Sequence, residues 1–322
     1  MTARPKLVIG ANGFLGSHVT RQLVADGHQV RAMVRPNANT IGIDDLALQR
    51  FHGDIFDTET LRAAMDGVDD VYYCVVDTRG WLRDPAPLFR TNVEGTRTVL
   101  DIAKDAGLRR FVYISSYVTV GRRRGHRATE ADQIGNRRVT PYVKSRVLAE
   151  NLVLAYARER GLPAVAMCVS TTYGSGDWGR TPHGQIIAAE AVGVQDAARA
   201  LILAAERGRP GERYLVSEKM ISNAEVARIA AAAAGVPAPA RSIPLPVSYA
   251  LATLGTVRGR LRGTDEQLSL ASLRLMRAEA ELDHSKAVRE LGWHPRPVEE
   301  SIREAARFWV QLRDARRRAK AG

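Results

Sequence analysis

The sequence predicts an α/β fold built on a doubly wound parallel sheet, with a smaller C-terminal substrate domain. Three observations predict it. An apolar strand, Lys6 to Ile9, runs straight into Gly10-Ala11-Asn12-Gly13-Phe14-Leu15-Gly16, a glycine turn that opens a helix. Strand-like and helix-like runs then alternate as far as Val169. Past Thr172 the alternation breaks, and Pro182, Pro210, Pro237, Pro239, Pro244, Pro246, Pro295 and Pro297 divide the chain into shorter elements. Strand, glycine turn and helix in that order open a Rossmann-type sheet.

The elements follow in order. Phe14 to Asp26 carries Leu15, Val19 and Leu23 at helical spacing. His28 to Val34 reads as the second strand, with its exit at Arg35-Pro36-Asn37. Leu48 to His52 reads as the third, ending at Gly53-Asp54, and a capped helix starts at Thr58 and runs to Met65. Val71 to Val76 is the fourth strand, Val93 to Ala106 a helix, and Arg110 to Ile114 the fifth strand, which ends at Ser115-Ser116. Tyr142 to Arg160 is a long helix and Ala164 to Val169 the sixth strand. Ser222 to Ala234 is a helix with Ser222 as cap and Glu225 at its third position, a capping box. Residues 1–172 are expected to form a dinucleotide-binding domain to which later segments return, and 173–322 mainly a substrate-binding and helical region.

Composition narrows the function classes. The chain has 322 residues, 45% of them hydrophobic, enough for a sizeable core. Cys74 and Cys168 both sit in apolar runs, as buried thiols of a reduced, cytoplasmic protein would. The first residues enter a strand at once and leave no room for a signal peptide. The apolar run Pro246 to Val257 is too short to span a membrane, ends in Arg258, Arg260 and Arg262, and reads as a packed helix able to touch a partner or a membrane surface. The net charge of +12 is spread along the chain. Its compact clusters, Arg122-Arg123-Arg124 and Arg313 to Lys320, lie in no nucleic-acid motif, so an anionic small molecule is the expected partner. The seven histidines have no metal-ligand spacing.

The glycine turn points to a dinucleotide. Gly10 permits the tight turn, Gly13 lets a pyrophosphate approach the backbone, and Gly16 lets the helix pack close to the sheet; the helix N-terminus favours the anion. The end of the second strand offers Arg35 and no carboxylate. A guanidinium there can pair with a 2′-phosphate, so NADP is expected over NAD. Arg31 is expected to face the other way. Asp54 is placed to meet the adenine amino group, with Ile55 packed on the ring; an ordinary turn aspartate is the alternative.

The residues that follow suit carbonyl reduction or alcohol oxidation. A tyrosine hydroxyl relays a proton when neighbouring positive charge lowers its pKa, and a serine hydroxyl holds the same substrate oxygen. Tyr142 and Arg146 are four apart on one helix, and Ser115-Ser116 end a strand where ligands gather in parallel sheets. Arg79 and Trp81 after the fourth strand, Thr119 after the serines and Tyr173 after the sixth strand are candidate substrate contacts.

This constellation resembles the extended (atypical) short-chain dehydrogenase/reductase family, also called the NAD-dependent epimerase/dehydratase family, and within it dihydroflavonol reductase-like and hopanoid-associated sugar epimerase-like proteins. The similar stretches are Leu7 to Gly16, Val30 to Arg35, Gly53-Asp54, Asn92 to Thr96, Phe111 to Gly121, Pro141 to Glu150, Arg209 to Val216, Asp283 to Lys286 and Leu291-Gly292-Trp293. The resemblance implies Ser116 as holder of the substrate oxygen, Tyr142 as acid/base, and Asn92 as a polar residue near the cofactor. It places Arg146 where the family carries a lysine that also binds the nicotinamide ribose. Arginine keeps the charge but cannot join a proton relay, and Lys144 points to another face of the helix. Cys74-Val75-Val76 stands where small alanines usually approach the cofactor, with Val75 nearest it. Gly184 to Ile187 runs almost directly into Glu190, where related proteins have a longer pocket-closing connection. Asp196 matches a structural aspartate. The resemblance further implies a homodimer through the helices 93–106 and 142–160. With no evident sugar-nucleotide phosphate clamp, reduction of a small, fairly apolar carbonyl is the leading expectation. Nucleotide-sugar epimerisation or dehydration, and a dinucleotide-binding regulator with degraded catalysis, stay open.

Overall fold

The computed structural model describes residues 4–123, 125–135, 139–179, 188–238, 245–266, 270 and 281–321. Seven parallel strands form the main sheet in the order β3-β2-β1-β4-β5-β6-β9. They are β1 (Lys6–Ile9), β2 (Val30–Val34), β3 (Gln49–His52), β4 (Asp70–Tyr73), β5 (Arg110–Ser116), β6 (Ala164–Val169) and β9 (Arg213–Val216). The chain winds outward from β1 to β3, then returns to β4 on the other side of β1. That reversal leaves a crevice above the carboxyl ends of β1 and β4, where ligands bind in such sheets.

Alternation along each strand divides the core in two. Val8, Ala32, Tyr72, Val112 and Val165 face Val19 and Leu23 of α1 (Phe14–Ala25) and Ala197 and Leu201 of α6 (Val194–Arg207). Leu7, Ile9, Val71, Phe111 and Tyr113 face α2 (Thr58–Met65), α4 (Thr96–Ala103) and α5 (Pro141–Arg160) through Leu61, Val99, Ala149 and Val153. A short helix, α3 (Ala86–Phe89), precedes α4.

Several boundaries differ from the sequence reading. The second and third strands start at Val30 and Gln49, later than expected. The fourth stops at Tyr73, although the Cys74 amide still donates to the Ile9 carbonyl at 2.9 Å; Val75 then lies against Gly10. The fifth continues through both serines, paired as far as Ser116 with Val169. Asp57, and not Thr58, caps α2, accepting a hydrogen bond from the Thr60 amide at 3.0 Å. The expected helix from Val93 begins as a π-helical turn, Arg90–Gly95, before α4. Gly95 leaves room there for Ile55, whose Cδ1 would have to turn away from a Cβ built at 2.2 Å.

Beyond β6 a second, three-stranded sheet is ordered β10-β8-β7, from β7 (Thr171–Tyr173), β8 (Ala188–Gly193) and β10 (Lys219–Ser222). The chain returns to the main sheet only as β9. Ser222 caps α7 (Asn223–Ala234) by accepting from the Glu225 amide at 3.2 Å, as the capping box predicts. Pro246 to Val257 lies inside a longer helix, α8 (Leu245–Arg262). Two more helices, α9 (Ser285–Leu291) and α10 (Val298–Ala321), complete the described elements. No helix is long and apolar enough to cross a membrane among the described residues. Residues 184–187 of the connection expected to close the pocket, and Arg124 of the arginine cluster, fall outside the described residues.

Asp196 is structural, accepting hydrogen bonds from the Arg296 amide and guanidinium, while its carbonyl accepts from the buried Trp293 indole at 2.8 Å. The Leu291-Gly292-Trp293 match therefore marks a packing device: Gly292 is the left-handed C-cap of α9, at φ 68°.

One buried hub pins α5 to the sheet. Glu150 is 2% exposed. Its carboxylate accepts from the Ser115 hydroxyl on β5, from Thr119 at 2.8 Å and from the Cys168 thiol at 3.3 Å. It also accepts from the Arg213 guanidinium on β9 at 2.7 Å. Burial pushes the Cys168 thiol far above its ordinary pKa, so it serves as a neutral donor. Arg213 in turn donates to the carbonyls of Glu130 and Asp132 at 2.7 and 2.8 Å. Removing one partner of such a pair strands the other charge, whereas exposed pairs contribute little. Glu150→Ala should therefore lower unfolding free energy by about 3–5 kcal/mol in urea titrations. Arg209→Ala, which breaks the exposed pair with Glu290, should cost less than about 1 kcal/mol. Equal effects would show that the hub does not hold α5.

Candidate active site

The glycine turn sits at the crevice the topology creates. Gly10 has φ 80°, and a Cβ there would meet Val75 Cγ2 at 3.0 Å. At Gly16 a Cβ would lie 2.2 Å from the Gly10 carbonyl oxygen, so only glycine lets α1 start this close to β1. Gly13, the N-cap of α1, supplies no side-chain cap, and no acidic residue sits in the first turn. The first amides of a helix lack partners within it. Those of Phe14, Leu15 and Gly16 are thus left to an anion. Asn12 ties this turn to the chain beyond β2, donating to the Asn39 carbonyl at 3.2 Å.

Arg35, at the end of β2, is exposed and makes no ion pair among the described residues. Arg31 faces the other way, as expected: it donates to Gln49 and to the carbonyls of Ala64 and Asp66. Asp54 is exposed and accepts from the Phe56 amide at 3.2 Å, a turn arrangement that leaves carboxylate lone pairs open. Ile55 is buried beside Gly95.

Asn92 is a clamp. Its side chain accepts from the Asp77 amide at 2.8 Å, donates back to the Asp77 carbonyl at 3.0 Å, and donates to the Ser145 hydroxyl at 3.0 Å. Ser145 donates to the Tyr142 carbonyl at 2.8 Å. One buried amide thus joins the loop after β4 to the first turn of α5. The π-helical turn carries Asn92 into this position, a distortion common at functional sites.

Tyr142, Arg146 and Glu150 recur every four residues along one face of α5. Thr140 caps the helix and Pro141 occupies its first turn, so the helix starts one residue earlier than expected. Burial pushes the Tyr142 phenol above its ordinary pKa, while the Arg146 charge and a hydrogen bond with Ser116 pull it down. Arg146 is 1% exposed. Its Nη2 donates to the Ile114 carbonyl at 2.5 Å, and its guanidinium lies 5.4 Å over the Tyr113 ring. Nε and Nη1 are buried without a hydrogen-bond partner. A buried cation with two unmet donors is costly, and a ligand bearing two hydroxyls could supply the acceptors it lacks. Lys144 is exposed and takes no part.

The candidate substrate contacts do not all converge. Tyr173 and Phe14 line a cavity of about 970 Å³ between the carboxyl end of β7, α7 and α10. Arg79 is held on Asp77, with Nη2 to Oδ2 at 2.6 Å, and Trp81 is half-buried in the same loop. Thr119 is 3% exposed and its hydroxyl is committed to the Ser116 carbonyl and Glu150. As a substrate contact it is corrected: the 3-10 turn after β5 rotates it into the hub. Sequence reasoning missed the Asn92–Ser145 clamp and the Glu150–Arg213 pair. The signal was a carboxylate four residues beyond Arg146 on a helix face that must be buried. No cluster of metal-ligating side chains occurs among the described residues.

Comparison with known proteins agrees with this geometry. Residues 6–217 match the family model for the NAD dependent epimerase/dehydratase family. A putative dihydroflavonol 4-reductase of Synechocystis is 29% identical, covering 94% of each chain. Sterol demethylase protein B of Methylococcus capsulatus is 29% identical over 94% of this chain and 97% of its own. The crystal structure of gox2253 superposes with a TM-score of 0.83 at 32% identity, covering 96% of this chain and 98% of that one. A dTDP-glucose 4,6-dehydratase of Streptomyces venezuelae with NAD bound shares the fold at a TM-score of 0.76 and 23% identity, covering 96% of this chain and 98% of that one. The matched region spans the glycine turn, both serines, Tyr142 and Arg146, and the chain belongs to the NAD dependent epimerase/dehydratase family.

Proposed function

We propose that the chain is an NADP(H)-dependent reductase of a small, fairly apolar carbonyl, with Tyr142 as acid/base. The observation that carries this reading is the triangle of Ser116, Tyr142 and Arg146, in which the phenol meets a hydroxyl and a buried cation at the end of β5. The nicotinamide, when bound, supplies or accepts the hydride. In the direction of reduction, the Ser116 hydroxyl holds the substrate oxygen and the Tyr142 hydroxyl delivers a proton to it. Arg146 stabilises the phenolate that remains and offers Nε and Nη1 to the ribose. It cannot carry the proton onward, so reprotonation of Tyr142 comes from a hydroxyl or water. The first amides of α1 would hold the pyrophosphate and Arg35 the 2′-phosphate, with Asp54 and Ile55 about the adenine and Val75 beside the chain of the cofactor. Relatives named as reductases support the reaction class: besides the dihydroflavonol 4-reductase, cinnamoyl-CoA reductase 1 of rice matches at 29% identity.

Arg146 restrains the alternatives. A degraded site would not keep a buried charge beside the phenol, where it only costs stability unless it serves binding or catalysis. An assembly of two chains through α4 and α5 stands as part of this reading, since Leu148 on α5 is 41% exposed.

Three outcomes test the reading. With NADPH and a panel of apolar ketones and aldehydes, Tyr142→Phe should lower kcat by about 10²–10⁴-fold and leave NADPH affinity unchanged; unchanged turnover would remove Tyr142 from the chemistry. In the oxidation direction, where the phenolate is the base, rate rises with pH through the Tyr142 pKa. Arg146 pulls that pKa down, so Arg146→Met should move the rising limb to higher pH, and a limb that stays in place would deny the charge its role. Arg35→Asp should shift the NADPH-to-NADH preference toward NADH by about 10–100-fold, the worth of a charge-assisted hydrogen bond. Dissociation constants measured by cofactor fluorescence would show it.

A further inference from the structure

The cavity beside Phe14 has a polarity that the catalytic triangle does not explain. Its long wall is one face of α10, and the sequence of that face changes character along its length. Ile302, Ala305, Ala306, Trp309 and Leu312 come first, followed at the same helical spacing by Arg313, Arg316 and Arg317. Val226 and Ala230 of α7 form the facing wall. The lining is thus apolar for about three turns and cationic at one end.

The charges at the two ends differ. Arg313 is paired with the neighbouring Asp314 at 2.9 Å. Arg316 and Arg317 are exposed and make no ion pair among the described residues. At the other end Tyr173 packs beside Ile302 and Ile229, an apolar lining. An anion is attracted to the arginine end. The Tyr173 end is also the one nearest the chemistry, since Tyr173 lies four residues beyond Val169, the register partner of Ser116.

We infer that this cavity binds an amphiphile with an elongated apolar body and an oxyanionic head, its head at Arg316 and Arg317 and its far end at Tyr173, toward Tyr142. At about 970 Å³ the space is at the upper end of small-molecule sites, more than a compact ketone fills. The inference rests on the proposed reductase only for the end at which the carbonyl sits. The binding site stands on the cavity alone. It narrows the substrate to carbonyl compounds that carry an acidic group several carbons away from the reacting centre.

Binding can be read without turnover, from the fluorescence of Trp309 in the wall. Dodecanoate and dodecanol, both below their aggregation limits, share an apolar chain and differ in the head. The full-length protein should bind dodecanoate at least about tenfold more tightly than dodecanol, the effect of one charge-assisted hydrogen bond. Arg316→Ser/Arg317→Ser should erase that preference while leaving dodecanol unchanged. Ala306→Trp, which fills the middle of the cavity, should abolish binding of both, with NADPH affinity retained as evidence of folding. Equal affinity for acid and alcohol, or binding that survives Ala306→Trp, overturns the inference and leaves the reductase reading untouched. Loss of turnover in Tyr142→Phe with dodecanoate binding intact separates the two in the other direction.

Discussion

The position of α5 against the ends of β5 and β6 decides what the crevice can do, and buried charge sets that position. Glu150 and Arg213 are taken out of water at the far side of the helix's first turns, where every lone pair or donor left unmet is expensive. The geometry that satisfies them is narrow. A shift of α5 by one residue would separate Glu150 from Ser115, Thr119 and Cys168 together. Apolar packing through Ala149 and Val153 tolerates small displacements; the hub does not. Specificity of register is the service such pairs perform best, and here the register aims Tyr142 at Ser116.

The same face of the helix carries the opposite condition one turn earlier. Arg146 is as buried as Glu150 but only partly satisfied, with Ile114 and the Tyr113 ring as its partners. A folded protein keeps such a deficit where a ligand removes it. The contrast separates the two charges: Glu150 is fully bonded and fixes the helix, and Arg146 keeps two donors open. An arginine at this position is a planar group that can be held by its own chain through one nitrogen while presenting others. A lysine ammonium, free to rotate its three donors about a single point, has no such division.

Much of this was legible in the sequence because the signals are local. Glycine positions report backbone conformations that only glycine adopts, and at Gly10 and Gly16 the close approaches are there. The strand order follows from alternation and from the handedness of parallel connections. Ser222 with Glu225 announced a cap that formed. What escaped was non-local. Nothing near Thr119 says that it meets a carboxylate thirty-one residues away, so a hydroxyl after the serines read as a substrate contact. Asn92 read as a polar neighbour of the cofactor, and its bonds to Asp77 and Ser145 depend on a π-helical turn that no residue pattern marks. Asp57 displaced Thr58 as a cap for a simpler reason: both are good caps, and Asp57 takes the Thr60 amide and hydroxyl with its two carboxylate oxygens.

The C-terminal region divides in the same way between frame and function. Asp196, Trp293 and Arg296 bind α6 to the segment between α9 and α10, and so fix where α10 starts. From that anchor the helix runs past β7 and β8. Its apolar face is covered by α7 near Ile302 and becomes cavity wall further along. Had the face stayed apolar to its end, it would read as a helix in want of a packing partner. The change to arginine at the outer end makes complete dry burial expensive, because three guanidinium groups would have to be desolvated together. A cavity wall that is apolar inside and cationic at its mouth is complementary to a molecule with the matching asymmetry. The crevice above β1 and β4 thus adjoins, at Phe14, a second space lined by Tyr173 whose length and charge suit a larger ligand than a compact ketone.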